Sequence, residues 1–290
     1  STACRIAGCT MNSAERRTPT LADWLIFVAL LAGAILMCGP FIWMISTSFK
    51  PSSEVFSFPP TLLSSHPQPG NYVRIFTTIP FGQALLNSVI VATSVTVLQL
   101  IVCSMAAYAF ACLRFRGREV LFLIYLAALM VPSQVTLIPN FILIRNLGWI
   151  DTYQGLILPY AFSSFGTFLL RQYMKTIPQE LIEAARIDGA NHLQIYAGVV
   201  VPLALPALGA LAIFTFVAQW NNFLWPLITT SKPSMQVTTV TLASLQGQFN
   251  TDWPLLMTGS VLAIVPMLVV FAFGNRSFIS GITAGSFGGR

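Results

Sequence analysis

Hydrophobic and polar positions along this chain segregate into long blocks. Six apolar windows lie between charged residues, at 24–49, 75–113, 120–144, 152–170, 189–231 and 253–275. A bilayer core of ~30 Å needs ~20 helical residues at ~1.5 Å rise each. The shortest window, Thr152 to Leu170, meets that length once the tolerant flanks Gln172 and Tyr173 are added. The pattern predicts an all-α integral membrane protein with six spanning helices, at about Trp24–Ile45, Ala84–Cys112, Val120–Ile144, Tyr153–Tyr173, Leu205–Ile228 and Leu255–Phe273. A soluble helical protein would carry many more charges on its outer faces. The membrane domain is expected over 21–290, after a leader at 1–20. The second span holds Asn87, Ser88, Thr93, Ser94, Thr96 and Gln99, too many polar groups to face lipid all round. In the third span Pro132 and Pro139 each remove a backbone donor and are expected to bend it.

One polar segment interrupts this pattern. "TIPQELIEAARIDGANHLQIY", from Thr176 to Tyr196, predicts two short helices joined at Gly189. Pro178 suits a first turn, Thr176 and Gln179 have capping-box spacing, and Ala184 with Ala185 favours helix. Gly189 supplies a left-handed stop, and Asn191 can cap the second helix. A connector resting at lipid headgroups would show bulky apolar residues on one face and several Lys or Arg on the other. Here Glu180, Glu183 and Asp188 outnumber Arg186, and an acidic helix is disfavoured beside an anionic leaflet. The segment, with its flanks a loop at 176–202, is therefore read as docking to another protein. Its alanine pair lets a partner approach the backbone, and Glu183 offers one charge.

Composition sharpens this. The chain is 55% hydrophobic and 8% charged, with a net charge of +6. With the N-terminus inside, eleven of the Lys and Arg residues fall on inner segments and only Lys50, Arg74, Arg145 and Lys232 outside. This places both termini in the cytoplasm. The basic excess reads as topology, and no nucleic-acid surface is expected. Cys38, Cys103 and Cys112 lie within or beside spans as small apolar side chains, so no disulfide framework follows. The first ten residues are assigned no function, and the first span lacks the short h-region and cleavage site of a cleavable signal.

No G-x-x-x-x-G-K-[ST] loop occurs, so energy from ATP would have to come through another chain. All nine acidic residues sit at span edges or in loops, as do His66 and His192. This speaks against the alternative of an ion-coupled secondary transporter. No H-E-x-x-H, G-x-S-x-G or aspartate cluster appears, so no residue is proposed as catalytic or metal-binding. In "TFVAQWNNFLWP" Gln219 and Asn222 share a helical face, with Thr215 one turn earlier. Uncharged amides interleaved with rings suit a sugar, whose hydroxyls need polar partners and whose C–H faces stack on aromatics. Gln219, Trp220, Asn221, Asn222, Asn87 and Gln134 are the candidate path residues, with Gln99 and Asn140 by the same reasoning. Polar packing between helices accounts for any one of them equally well.

The pattern Glu183-Ala184-Ala185, Gly189, Ile195 and Val201-Pro202 resembles the "EAA" loop of permease subunits in binding-protein-dependent ABC importers. The usual Ile-x-Leu-Pro ending appears here as Val199-Val200-Val201-Pro202. "AYAFACLRFRGR", "MVPSQVTLIPNFILIRNLGWIDTYQGLILPY", "QWNNFLWPL" and "GITAGSFGG" are similar to the carbohydrate branch, in its maltose-type second permease subunit. The resemblance covers most of 20–290. It implies a multi-pass subunit of a prokaryotic inner membrane. Its expected partners are membrane lipid, a second homologous permease, two ATPase subunits or domains and an extracytoplasmic solute-binding protein. ATP and Mg would be bound by the ATPase, with no cofactor in this chain. The resemblance assigns Glu183, Ala184, Ala185, Asp188 and Gly189 to docking on the ATPase. It assigns Gly281, Thr283 and Gly285, in a tail at 276–290, to a second contact with the ATPase.

Overall fold

The computed structural model describes residues 21–247 and 251–286; for Ala22 and 273–286 only the backbone is described. The leader at 1–20 lies outside the described residues. In chain order the helices are α1 (Leu21–Ser48), α2 (Asn71–Thr78), α3 (Phe81–Cys112), α4 (Arg118–Ala127), α5 (Ser133–Asn146), α6 (Tyr153–Ile157) and α7 (Ser164–Met174). They continue as α8 (Gln179–Ile187), α9 (His192–Ile195), α10 (Val201–Leu203), α11 (Leu205–Trp220), α12 (Leu224–Thr229), α13 (Thr238–Ala243) and α14 (Trp253–Ser286). The all-α expectation holds among the described residues, where the one extended pairing is an isolated bridge between Gln246 and Thr251.

The expected six spans are not matched one for one by single helices. Among the described residues three helices, α1, α3 and α14, are long and apolar enough to cross a bilayer alone, and the count reaches five if each of two bent pairs is one crossing. The predicted third span is two helices meeting at 94°. Pro132 holds Val131 extended (φ −84°, ψ 115°), which ends the first half, while Pro139 is absorbed inside α5. The predicted fourth span breaks into α6, a turn at Leu158–Tyr160 and α7. Thr152 caps the start of α6, accepting from the Gly155 N–H at 3.2 Å, and Ser163 marks the break, accepting from the Gly166 N–H at 3.1 Å to begin α7 afresh. The predicted fifth span stops at Trp220, and Asn221 to Phe223 separate it from α12.

The central pillar is α3, about 48 Å long at 1.5 Å per residue. Its buried face is rich in Ala, Ser, Thr and Cys, so α7, α11 and α13 lie close against it. Gly166 of α7 marks the closest approach, because a Cβ there would sit 3.1 Å from Leu211 and 3.3 Å from the Cys103 sulfur. Around the second half of α3, Cys103, Ala107, Leu170, Met174, Ala207 and Leu211 form one core. Further along the pillar, Val91, Val95, Ile144, Leu156 and Trp225 form a second. The pillar thus connects two different neighbourhoods.

Candidate functional site

The polar segment folds at the Cys112 end of α3 as a knuckle of two short helices, α8 and α9. Gly189 takes φ +85°, as expected for a left-handed stop. The Gly189 N–H reaches the Arg186 carbonyl at 3.1 Å and the Ala190 N–H reaches Ala185 at 3.0 Å, the paired closure of a Schellman motif. Asn191 caps α9, accepting from the Gln194 N–H at 2.9 Å while the Gln194 side chain accepts from the Asn191 N–H at 2.8 Å. The expected cap of Thr176 on α8 is absent. Its hydroxyl instead donates back to the Tyr173 carbonyl at 2.8 Å, closing the end of α7, and Pro178 begins α8 without a side-chain cap.

Two faces follow from the helical period. Ile182 and Ile195 are buried in the same core as α3, α7 and α11, and Ala185 packs against it. Glu183, Ala184, Ile187, Asp188 and Leu193 are exposed, Ile187 at 86%. The alanine pair is therefore split between the chain's own core and the outside, because adjacent helical residues point about 100° apart. Glu183 stands 4.0 Å from Arg114, and both side chains are largely solvated. A cavity of about 490 Å³ opens between the knuckle and the "RFRGR" turn, lined among others by Arg114, Gln179, Glu183, Arg186 and His192.

The connection to the bundle is stiff. Tyr196 opens a π-helical turn at Tyr196–Val200, its hydroxyl 2.7 Å from that of Ser104 and its ring 5.5 Å from Tyr108, both on α3. The segment from α9 to α10 then meets α11 at 77°. Arg171 of α7 adds a brace that charge counting alone missed. Buried to 3% exposure, it donates from Nε to the Phe110 carbonyl at 3.1 Å and bidentately to Glu119 at 2.7 and 2.6 Å. Its guanidinium lies 3.8 Å from the Phe122 ring centre. One side chain thus ties α7 to the end of α3 and the start of α4.

The candidate path residues separate into two groups. Asn87 is fully buried, donating to the carbonyls of Ser234 and Gln236 at 2.9 Å and accepting from Tyr153 at 2.8 Å and Gln83 at 3.0 Å. Gln99 donates to the Tyr160 carbonyl at 2.8 Å and accepts from Thr215 at 3.0 Å. Trp220 is buried, stacked on Phe216, with its indole N–H on the Ala263 carbonyl at 3.0 Å. Asn221 is exposed and donates to the Val217 carbonyl at 2.8 Å. These four serve packing or their own helix end. Gln134, Asn140 and Asn222 instead meet at a cavity of about 360 Å³, with Ser133, Thr136, Tyr160 and Trp225. Gln219 stands just behind, 3.4 Å from the Asn222 amide.

Tyr160, Ser133 and Thr136 were not among the residues singled out from sequence. The signal for Ser133, Thr136 and Asn140 was their helical spacing after Pro132; Tyr160 sits on a turn that no periodicity marks. Gly281, Thr283 and Gly285 lie on the helical backbone of α14, beyond the described side chains. No cluster of three His, Cys, Asp or Glu able to hold a metal occurs among the described residues.

The family profile of the binding-protein-dependent transport system inner membrane component matches residues 99–280. The arabinooligosaccharides transport system permease protein AraQ of Halalkalibacterium halodurans is 35% identical, over 93% of this chain and 98% of its own. The sn-glycerol-3-phosphate transport system permease protein UgpE of Yersinia pestis is 34% identical, over 90% of this chain and 95% of its own. A chain in the crystal structure of a bacterial ABC transporter that imports the acidic polysaccharide alginate superposes with a TM-score of 0.80 at 26% identity, covering 89% of this chain and 98% of that one.

Proposed function

We propose, from the premise that this chain belongs to the family of binding-protein-dependent transport system inner membrane components, that it forms half of the translocation path of an ATP-driven sugar importer and works by alternating access. It is a multi-pass permease subunit, and ATP and Mg are bound by separate ATPase chains. Its partners are a second homologous permease, two ATPase subunits or domains, and an extracytoplasmic solute-binding protein. Both termini face the cytoplasm, as does the knuckle of residues 176–202.

The observation that carries this reading is the two-faced knuckle. Ile182 and Ile195 fix it in the bundle core, while Ile187 and Leu193 are left exposed beside Glu183 and Asp188. An exposed apolar pair rimmed by acids suits a groove with apolar floor and basic edge. Glu183, Ala184, Asp188 and Gly189 form the docking surface, and Ala185 supports it from within. ATP-driven movement of the ATPases shifts the knuckle, and the shared core passes that shift to α3 and α7 as well as through the 77° bend to α11. The tail at 276–290, with Gly281, Thr283 and Gly285, supplies a second contact.

The test is cross-linking in the complex purified with its native partners. Cysteine at Leu193 is expected to capture an ATPase chain, and Glu183→Lys to weaken that capture and the sugar-stimulated hydrolysis together. Capture of no ATPase, with uptake driven by an ion gradient, would overturn the reading.

A further inference from the structure

We infer that the cavity between α5, the Leu158–Tyr160 turn and the start of α12 is a subsite for an uncharged saccharide, contributed by this chain itself, and that it rejects phosphate- or carboxylate-bearing substrates. The inference rests on the importer reading and narrows it to a substrate class.

Open hydrogen-bonding capacity is the first ground. Asn140 and Gln134 are both exposed at the cavity, and the Asn140 side chain makes no hydrogen bond among the described residues. The Gln134 amide nitrogen has none either, and its oxygen receives only a 3.4 Å contact from Ser133. The Asn222 side chain is already shared, between the Tyr160 hydroxyl and a 3.4 Å contact to Gln219, so the open capacity rests on Asn140 and Gln134. Asn87 and Gln99, with the same chemistry on the neighbouring helix, are occupied by several bonds of 2.8–3.0 Å. An amide presents donor and acceptor side by side, which matches a vicinal diol, whose hydroxyls can each give and take.

Shape and charge agree. Trp225 is held by its indole N–H on the Gly155 carbonyl at 3.0 Å, and its ring meets Tyr160 edge to face at 6.4 Å. Trp225 is 3% exposed and backs the half-buried Tyr160, the ring that offers a face to the C–H groups of a sugar. Among the described residues, no Lys, Arg, His, Asp or Glu lines this cavity, nor the apolar recess of about 280 Å³ that shares Asn140 and Pro159 with it. An anionic group entering here would lose its hydration with no cation to replace it. The Tyr160 carbonyl is bonded by Gln99, thirteen residues before Cys112 on α3, so the cavity lies about 20 Å from the knuckle end at 1.5 Å per residue. That places it along the middle of α3, away from either end of the helix. UgpE, by its name, carries an anion and the alginate importer an acidic polysaccharide; the inference sets this chain's substrate apart from both.

The test uses the complete complex with its native partners. Asn140→Cys and, as a second reporter, Thr136→Cys are labelled with a charged methanethiosulfonate, and modification is read at the site by peptide mass spectrometry. Probes are maltotriose, arabinotriose and cellotriose against sn-glycerol 3-phosphate and trigalacturonate. We expect at least one neutral trisaccharide to slow labelling of both cysteines about fivefold or more, and neither anion to do so. Asn140→Ala and Gln134→Ala should each lower uptake kcat/KM for the protecting sugar about fivefold, with the thermal midpoint unmoved. Protection by an anion, or by no neutral probe at either site, would overturn the inference. Protection without ATP-dependent uptake would keep the subsite and count against the importer reading instead.

Discussion

The knuckle takes its shape from consecutive residues between Thr176 and Pro202, whereas the polar cavity takes its lining from α5, a turn after α6 and the link between α11 and α12. In the knuckle the polar groups are committed: the Asn191–Gln194 box and the Schellman closure at Gly189 occupy donors and acceptors within the segment. In the cavity Asn140 and Gln134 hold theirs in reserve. Under the proposed function, the knuckle is a surface already shaped for a docking partner, and the cavity a receptive one for a ligand that brings its own hydrogen bonds.

The largest effect is expected where the knuckle joins the bundle. Ile195 is fully buried, so Ile195→Ala should cost about 2–5 kcal/mol in thermal stability of the complex. Its outer surface is untouched, so ATPase capture at Leu193→Cys should survive while hydrolysis uncouples from uptake. Loss of capture together with coupling would show that the two faces are not separable. Next comes Asn87→Ala, which leaves the carbonyls of Ser234 and Gln236 and the Tyr153 hydroxyl unpartnered, at about 1–3 kcal/mol. Asn140→Ala leaves nothing unpartnered and should stay within about 0.5 kcal/mol. Equal midpoints for Asn87→Ala and Asn140→Ala would erase the distinction between committed and open amides.

The same contrast decides how much was legible in the sequence. Gly189 and Asn191 announced themselves because a left-handed stop and an N-cap are set by residues within a turn of each other. Thr176 misled for the same local reason: its hydroxyl had two neighbours to choose from, and closing α7 prevailed over capping α8. Hydropathy found where the chain is apolar but could not see that Pro132 and Ser163 divide apolar stretches, since these breaks depend on backbone bonds rather than on average polarity. Whether an amide is committed or open depends on a partner far along the chain. Asn87 and Asn140 are the same residue type in apolar stretches, and the position of Ser234, Gln236 and Tyr153 against α3 separates them.

Two substitutions at Gly189 probe the knuckle's own order. At Gly189 the backbone sits at φ +85° with open space around a would-be Cβ. Gly189→Val therefore costs conformational strain without a clash, about 1–3 kcal/mol. It should redirect α9 and lower coupling more than Gly189→Asn, since Asn tolerates the left-handed region.

The most discriminating change is at Asn191, where the side chain and Gln194 satisfy each other's backbone donors at 2.9 and 2.8 Å in solvent. Losing a cap of this kind costs about 1 kcal/mol, and because Gln194→Ala removes the reciprocal bond, the double variant should cost less than the sum of the two single ones. Amide exchange at Gln194 in the purified complex reads this directly, rising about fivefold in Asn191→Ala. If the cap only decorates a knuckle already held by Ile195, exchange rises while coupling stays at the parental level. If local order is what keeps the surface ready for its partner, coupling falls with it, and the rigidity attributed to the shared core would have to be assigned to the segment itself.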